Sequence, residues 1–277
     1  MEKRNDPISR EDYLELCCPL KVGPGRGIQS IPRSRVLEKL DEYMQHRDFS
    51  GAERHLLYWM DEARAGKDLQ GQLLICNEMI GFYRKSEMRE KAYAAINEAL
   101  DLLCRLNLAD SLSGGTAYVN AATAYSAFGD EEKALSLFTE ARRIYESSTG
   151  AGPELLGGLY NNMGISCAAL NRFSEARSLY ELALAQMRQV KGSEPEQAIT
   201  YLNLADAIDA EFQAEADMDQ LNKLLQKAKR LILNSDLERS GYYAYVCEKC
   251  APGFRYYGDE ETAEQLERLA EEIYAGN

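Results

Sequence analysis

Strand signals are the first thing missing from this chain of 277 residues. No run of alternating β-branched residues is bounded by turn pairs, which argues against a sheet. No stretch approaches the ~20 apolar residues that a bilayer-spanning helix needs. Met1-Glu2-Lys3-Arg4-Asn5-Asp6-Pro7 leads into no apolar signal core. These absences point to a cytoplasmic chain. Positive charge is in deficit, with 32 Lys and Arg against 45 Asp and Glu and a net charge of −13. Such a surface is a poor match for a phosphate backbone or an anionic bilayer. Neither nucleic acid nor membrane is therefore expected as a partner. Histidine is almost absent: His46 and His55 are the two, and neither has a cysteine or serine in register. No catalytic residue follows from them, and the chain is not expected to be an enzyme. Seven cysteines at irregular spacings read as small buried apolar side chains in a reducing compartment. Cys247-x-x-Cys250 has the spacing of half a zinc site, but no second pair completes it, so no metal or cofactor is expected.

What is present is repetition. Tyr118-Val119-Asn120-Ala121-Ala122 is echoed by Tyr160-Asn161-Asn162-Met163-Gly164 and by Tyr201-Leu202-Asn203-Leu204-Ala205, at steps of 42 and 41 residues. Ala134, Phe138 and Ala141 recur as Ala176, Tyr180 and Ala183 at the same step of 42. A fixed period of this size marks a stacked-helix array, whose units bury their apolar faces only against neighbours.

Taken in order, residues 1–33 do not fit the repeat. Ser9 could cap a short helix carrying Tyr13, Leu14, Leu16 and Cys17. Gly23-Pro24-Gly25-Arg26-Gly27 lacks the preceding strand and the Lys-Ser/Thr of a phosphate-cradling loop, so it reads as a loop or lid over the first repeat. From Ser34 the apolar positions fall at helical spacing. They define six approximate pairs over residues 34–66, 73–106, 115–148, 157–190, 198–234 and 240–275. Turns are expected at His46–Gly51 and at Phe128-Gly129-Asp130, where glycine ends one helix and Asp130 can cap the next. Pro252-Gly253 interrupts the sixth pair and is expected to end its first helix early. Tyr242, Tyr243 and Tyr245, just before it, read equally as a pocket wall or as a buried cluster.

Tyr118, Ala121, Ala122, Tyr125, Ala134, Phe138 and Ala141 fill, in order, the signature positions of a tetratricopeptide repeat. Tyr160, Met163, Gly164, Cys167, Ala176, Tyr180 and Ala183 do so again, with cysteine in place of the usual aromatic. The chain thus resembles tetratricopeptide repeat proteins over roughly residues 34–275. The match is close in repeats three and four, fair in two and five, and weak in one and six, and in the first repeat Trp59 stands where a small residue is expected. The long period is similar to that of kinesin light chain arrays and of bacterial peptide-sensing regulators of the Rap type. The resemblance implies an all-α, right-handed α–α superhelical solenoid of about six helix pairs.

In that fold the position two residues after the helix A tyrosine faces the concave groove, where Asn120, Asn162 and Asn203 fall. An asparagine offers both a donor and an acceptor, so three in register could pair with the backbone of an extended peptide. The bland reading is that they bond to helix ends or to one another. Asn77 lies one position off this register. Asp206 and Asp209 follow Asn203 on the same face, and the interval from Gly192 to Asn222 holds eight acids and no base. Arg84 and Lys85 take the late positions of the second repeat. A groove basic at one end and acidic at the other would orient a bound peptide, although a solvated, unspecific face explains the charges as simply.

The expected function is a scaffold that binds a protein or extended peptide. The alternative is a peptide- or ligand-sensing regulator acting through a partner protein. Oligomeric state is open at this level, with Trp59 and the end helices the surfaces that would support self-association.

Overall fold

The computed structural model describes residues 27–234 and 236–276. The short helix expected around Ser9–Cys17 and most of the glycine-rich loop lie outside these residues. The described residues form twelve α-helices and one 3-10 turn, with no strand. The chain divides into two compact units, residues 1–150 and 151–277, and each holds three antiparallel helix pairs.

Unit 1 contains α1 (Arg33–Gln45) with α2 (Phe49–Ala65), α3 (Leu69–Lys85) with α4 (Arg89–Arg105), and α5 (Leu112–Ala127) with α6 (Glu131–Ser147). Unit 2 contains α7 (Pro153–Ala169) with α8 (Phe173–Met187), α9 (Glu194–Phe212) with α10 (Met218–Ile232), and α11 (Gly241–Tyr256) with α12 (Glu260–Tyr274). Most helices run 15 to 17 residues, about 25 Å at 1.5 Å per residue. Two such helices and their turns account for the long period. Within a unit each helix packs on the next in sequence, save α10 and α11, and first helices of successive pairs also meet: α3 on α5, α7 on α9 and α9 on α11.

Packing follows the large–small alternation. Phe138 and Tyr180 are buried beside Ala134, Ala141, Ala176 and Ala183, so bulky rings fill the gaps that alanines leave between helices. At Gly129 and Gly258 the turn needs a left-handed residue, with φ of +82° and +83°, a conformation glycine adopts without steric cost.

Aspartates start several helices. Asp48 accepts from the backbone N–H of Gly51 at 2.8 Å and Asp259 from that of Thr262 at 3.1 Å, each satisfying a donor the helix leaves open. Asp68 caps α3 through Gly71 N–H at 2.9 Å and also accepts from Ile31 N–H at 3.1 Å. It thereby pins the incoming chain to the α2–α3 turn. Asp130 departs from expectation, because its side chain makes no cap bond. Arg89, Tyr93 and Lys133 hold the carboxylate instead, at 2.9, 3.0 and 2.8 Å. Two cations and a phenol outcompete a neutral N–H for it.

Two further expectations are corrected. The first turn is shorter than expected, since α2 already begins at Phe49. Pro252 does not end its helix; α11 runs through it to Tyr256. Pro252 is exposed while Cys250, Ala251 and Phe254 are buried. The missing N–H therefore falls on the solvent side, and the buried side keeps the helix going.

Candidate functional site

Unit 1 places Asn77, Arg84 and Lys85 on α3 and Asn120 on α5. Asn77 is only 4% exposed, and its Oδ1 is buried without a hydrogen-bond partner. Arg84 is half-buried and Lys85 exposed in the last turn of α3, where the helix dipole favours cations. Asn120 is half-buried.

Unit 2 joins amides. Asn203 Nδ2 on α9 donates to Asn161 Oδ1 on α7 at 3.0 Å. The Thr200 hydroxyl lies 3.2 Å from the same oxygen and 2.8 Å from Glu196 O, with one proton for the two acceptors. Asn161 Nδ2 and Asn203 Oδ1 are left with no hydrogen-bond partner among the described residues. Asn162 is half-buried beside them.

The acidic pair is bridged by phenols. Tyr256 OH, from the last residue of α11, donates to Asp209 Oδ2 at 3.0 Å, and Tyr257 OH, from the cap that follows, to Asp206 Oδ1 at 2.9 Å, both acceptors on α9. Loss of hydration pushes the Asp206 carboxyl above its ordinary range, and the charge of Asp209 adds to this, while the Tyr257 bond opposes it. Nearer the start of α9, burial likewise raises Glu196; its own backbone N–H and Tyr242 oppose the shift, and the charge of Glu194 adds to it.

Residues 73–147 match the profile of the tetratricopeptide repeat. Among solved structures, BtubC (BKLC) from P. vanneervenii is 17% identical, with 89% of this chain and 92% of that chain covered and a TM-score of 0.51. A putative kinesin light chain of Podosopora anserina, with nearly identical TPR-like repeats, is also 17% identical, covering 73% and 94% at a TM-score of 0.51. NprR in complex with its cognate peptide NprX is 16% identical, covering 94% and 71% at a TM-score of 0.59. The comparison with curated protein sequences gives no match. Residues 73–147 carry the tetratricopeptide repeat, and the remaining helix pairs share the fold of such arrays.

The repeat signature identifies the residues that the sequence pattern missed. Asn161 takes the position one before Asn162, and the same position in the second repeat is Asn77. That position, not the one two after the tyrosine, supplies the acceptor for Asn203. The doublet Asn161-Asn162 was the available signal. Tyr256 and Tyr257 were missed because they reach back 47 and 51 residues to Asp209 and Asp206, a separation no local motif encodes. The tyrosines before Pro252 divide between the two readings. Tyr243 is buried and donates to Ile232 O at 2.8 Å, whereas Tyr245 is exposed. Cys247 and Cys250 are fully buried. Among the described residues no cluster of three His, Cys, Asp or Glu is placed to hold a metal, and no helix is long and apolar enough to cross a membrane.

Proposed function

We propose that the chain binds a protein partner through an extended peptide segment, laid across α7 and α9 of unit 2. The observation that carries this is the Asn161–Asn203 pair. Each amide spends one group on the other. Asn161 keeps a donor and Asn203 keeps an acceptor, the complement of a peptide C=O and N–H. The lateral bond fixes both side chains before a ligand arrives, which lowers the ordering cost of binding. Asn162 extends the set of half-buried amides in unit 2, and Asn120 is the half-buried amide at the corresponding position of unit 1. The peptide complex of NprR supports the reading by analogy of fold.

The test is selection of binders from a phage-displayed library of random peptides, followed by fluorescence anisotropy on the selected sequences. Replacing Asn161, Asn162 and Asn203 together by alanine should weaken them at least about tenfold, roughly 1.4 kcal/mol. If the selection yields no binder, or if the triple variant binds as the parent does, the reading fails. A fall in hydrodynamic radius on saturation would favour a ligand-sensing regulator over a static scaffold.

A further inference from the structure

The first helix carries two faces. Val36, Leu37 and Leu40 are buried. Arg35, Glu38, Lys39 and Glu42 line up on another side at the i, i+3, i+4, i+7 spacing of one helical stripe. They form one wall of an open cleft of about 710 Å³, and His55, Tyr58 and Trp59 of α2 form the other. The aromatic wall is ordered. His55 Nε2 lies 2.9 Å from Val36 O, so it carries the proton and donates. The Tyr58 and Trp59 rings meet edge to face at 5.1 Å. Tyr58 is nonetheless 55% exposed, and Trp59 is the only tryptophan of the chain.

The order of charges along the stripe is positive, negative, positive, negative. Residues 38 and 39 flank its midpoint, with 35 and 42 equidistant beyond them. Laid antiparallel against a copy of itself about that midpoint, the stripe sets Arg35 opposite Glu42 and Glu38 opposite Lys39, each twice. All four juxtapositions are then attractive. A parallel arrangement sets every residue against its own charge. A two-fold axis needs a patch complementary to itself in this antiparallel sense. The stripe is also locally neutral, whereas the whole chain carries −13, so two copies meet there with least repulsion.

We infer that this face is where two copies of the chain associate, α1 antiparallel to α1 about a two-fold axis between residues 38 and 39, with Tyr58 and Trp59 closing over the seam. Lys39 already pairs with Glu42 in its own chain and can bridge to the facing Glu38. The inference is independent of peptide binding.

Light scattering and sedimentation on the full chain test it. The parent should be a dimer at tens of micromolar that dissociates on dilution, with Trp59 emission moving to the red. Charge reversal in R35E/K39E, and separately in E38K/E42K, should weaken the dimer at least tenfold. Mixing the two variants should restore association, because every facing pair is again attractive. Recovery on mixing also shows that both variants are folded. Tyr58→Glu, which leaves the stripe intact, should give a monomer as well. A parent that stays monomeric at all concentrations overturns the inference. It does so whether Trp59 is open to quenchers or shielded by another segment or partner. Variants that remain dimeric, or a mixture that fails to associate, overturn it too.

Discussion

The Tyr180 ring occupies the space that a side chain at Gly164 would need: a Cβ there would lie 2.5 Å from Tyr180 Cε1. Tyr180 is itself fully buried and has little room to yield. Gly158, on the same helix, faces open space, with no atom within 4 Å of a Cβ. Two glycines of α7 therefore carry opposite predictions. Gly164→Ala should destabilise by about 1–3 kcal/mol through overpacking. Gly158→Ala should stabilise by roughly 0.5–1 kcal/mol, since alanine costs less entropy in a helix. Urea midpoints for the two variants check this, and a shift in the same direction for both would refute it.

The features legible in the sequence are those that repeat. Tyr118, Tyr160 and Tyr201 set the period, and the alanines around Phe138 and Tyr180 set the packing, because a core signature must recur wherever helices meet in the same way. Features that occur once were not legible. Asn203 on α9 bonds to Asn161 on α7, the earlier residue of the doublet, and which of two neighbours meets the next helix is settled by packing that leaves no mark on spacing. Asp130 matches the capping pattern of Asp48 and Asp259, yet Arg89, Tyr93 and Lys133 draw its carboxylate away. Local rules rank a residue's nearest option and are blind to a stronger partner brought in by a neighbouring pair.

Pro252 tests how far burial overrides propensity. It removes the hydrogen bond that position 252 would donate to Glu248 O, on an exposed side of α11. Pro252→Ala restores that bond without touching the buried side. The variant should gain stability, on the order of 1 kcal/mol, below the ~3 kcal/mol measured for proline in unsupported helices because the surroundings have adapted. Thermal melting of the single variant decides it, and a loss of stability would show that the proline positions the end of α11.

Thiol chemistry should separate the described cysteines. Cys104 is exposed, whereas Cys76, Cys167, Cys247 and Cys250 are buried. Burial pushes the Cys247 thiol up to about 11, with Tyr243 and Arg239 opposing it, and Cys250 up to about 12, with the charge of Cys247 adding to burial. The thiolate is the reactive form, so these two should be inert in the folded chain at neutral pH. In a Cys17→Ser/Cys18→Ser background, Ellman's reagent should release one equivalent quickly, and Cys104→Ser should abolish that phase. Rapid reaction at Cys247 or Cys250 would mean that α11 opens locally.

The carboxylates of α9 should make unit 2 more stable as the solution is acidified mildly. Loss of hydration is the leading cause of the upward shifts at half-buried Glu196 and at Asp206, whose exposure at the surface makes its part the smaller. A raised folded value means that the folded state binds the proton more tightly than the unfolded chain does. The resulting stabilisation is fully present below the ordinary carboxylate range, and it is lost as pH rises through the raised folded values. Asp259, held low by Lys229 and Thr262 against the effect of burial, contributes in the opposite sense and only at lower pH. Asp206→Asn keeps an acceptor for Tyr257 and removes the charge. Its stability relative to the parent should therefore be highest at pH 7 and should decline toward pH 5. Urea unfolding of both proteins at several pH values measures this directly. A difference that stays constant across that range would show that Asp206 ionises as freely in the folded chain as in the unfolded one.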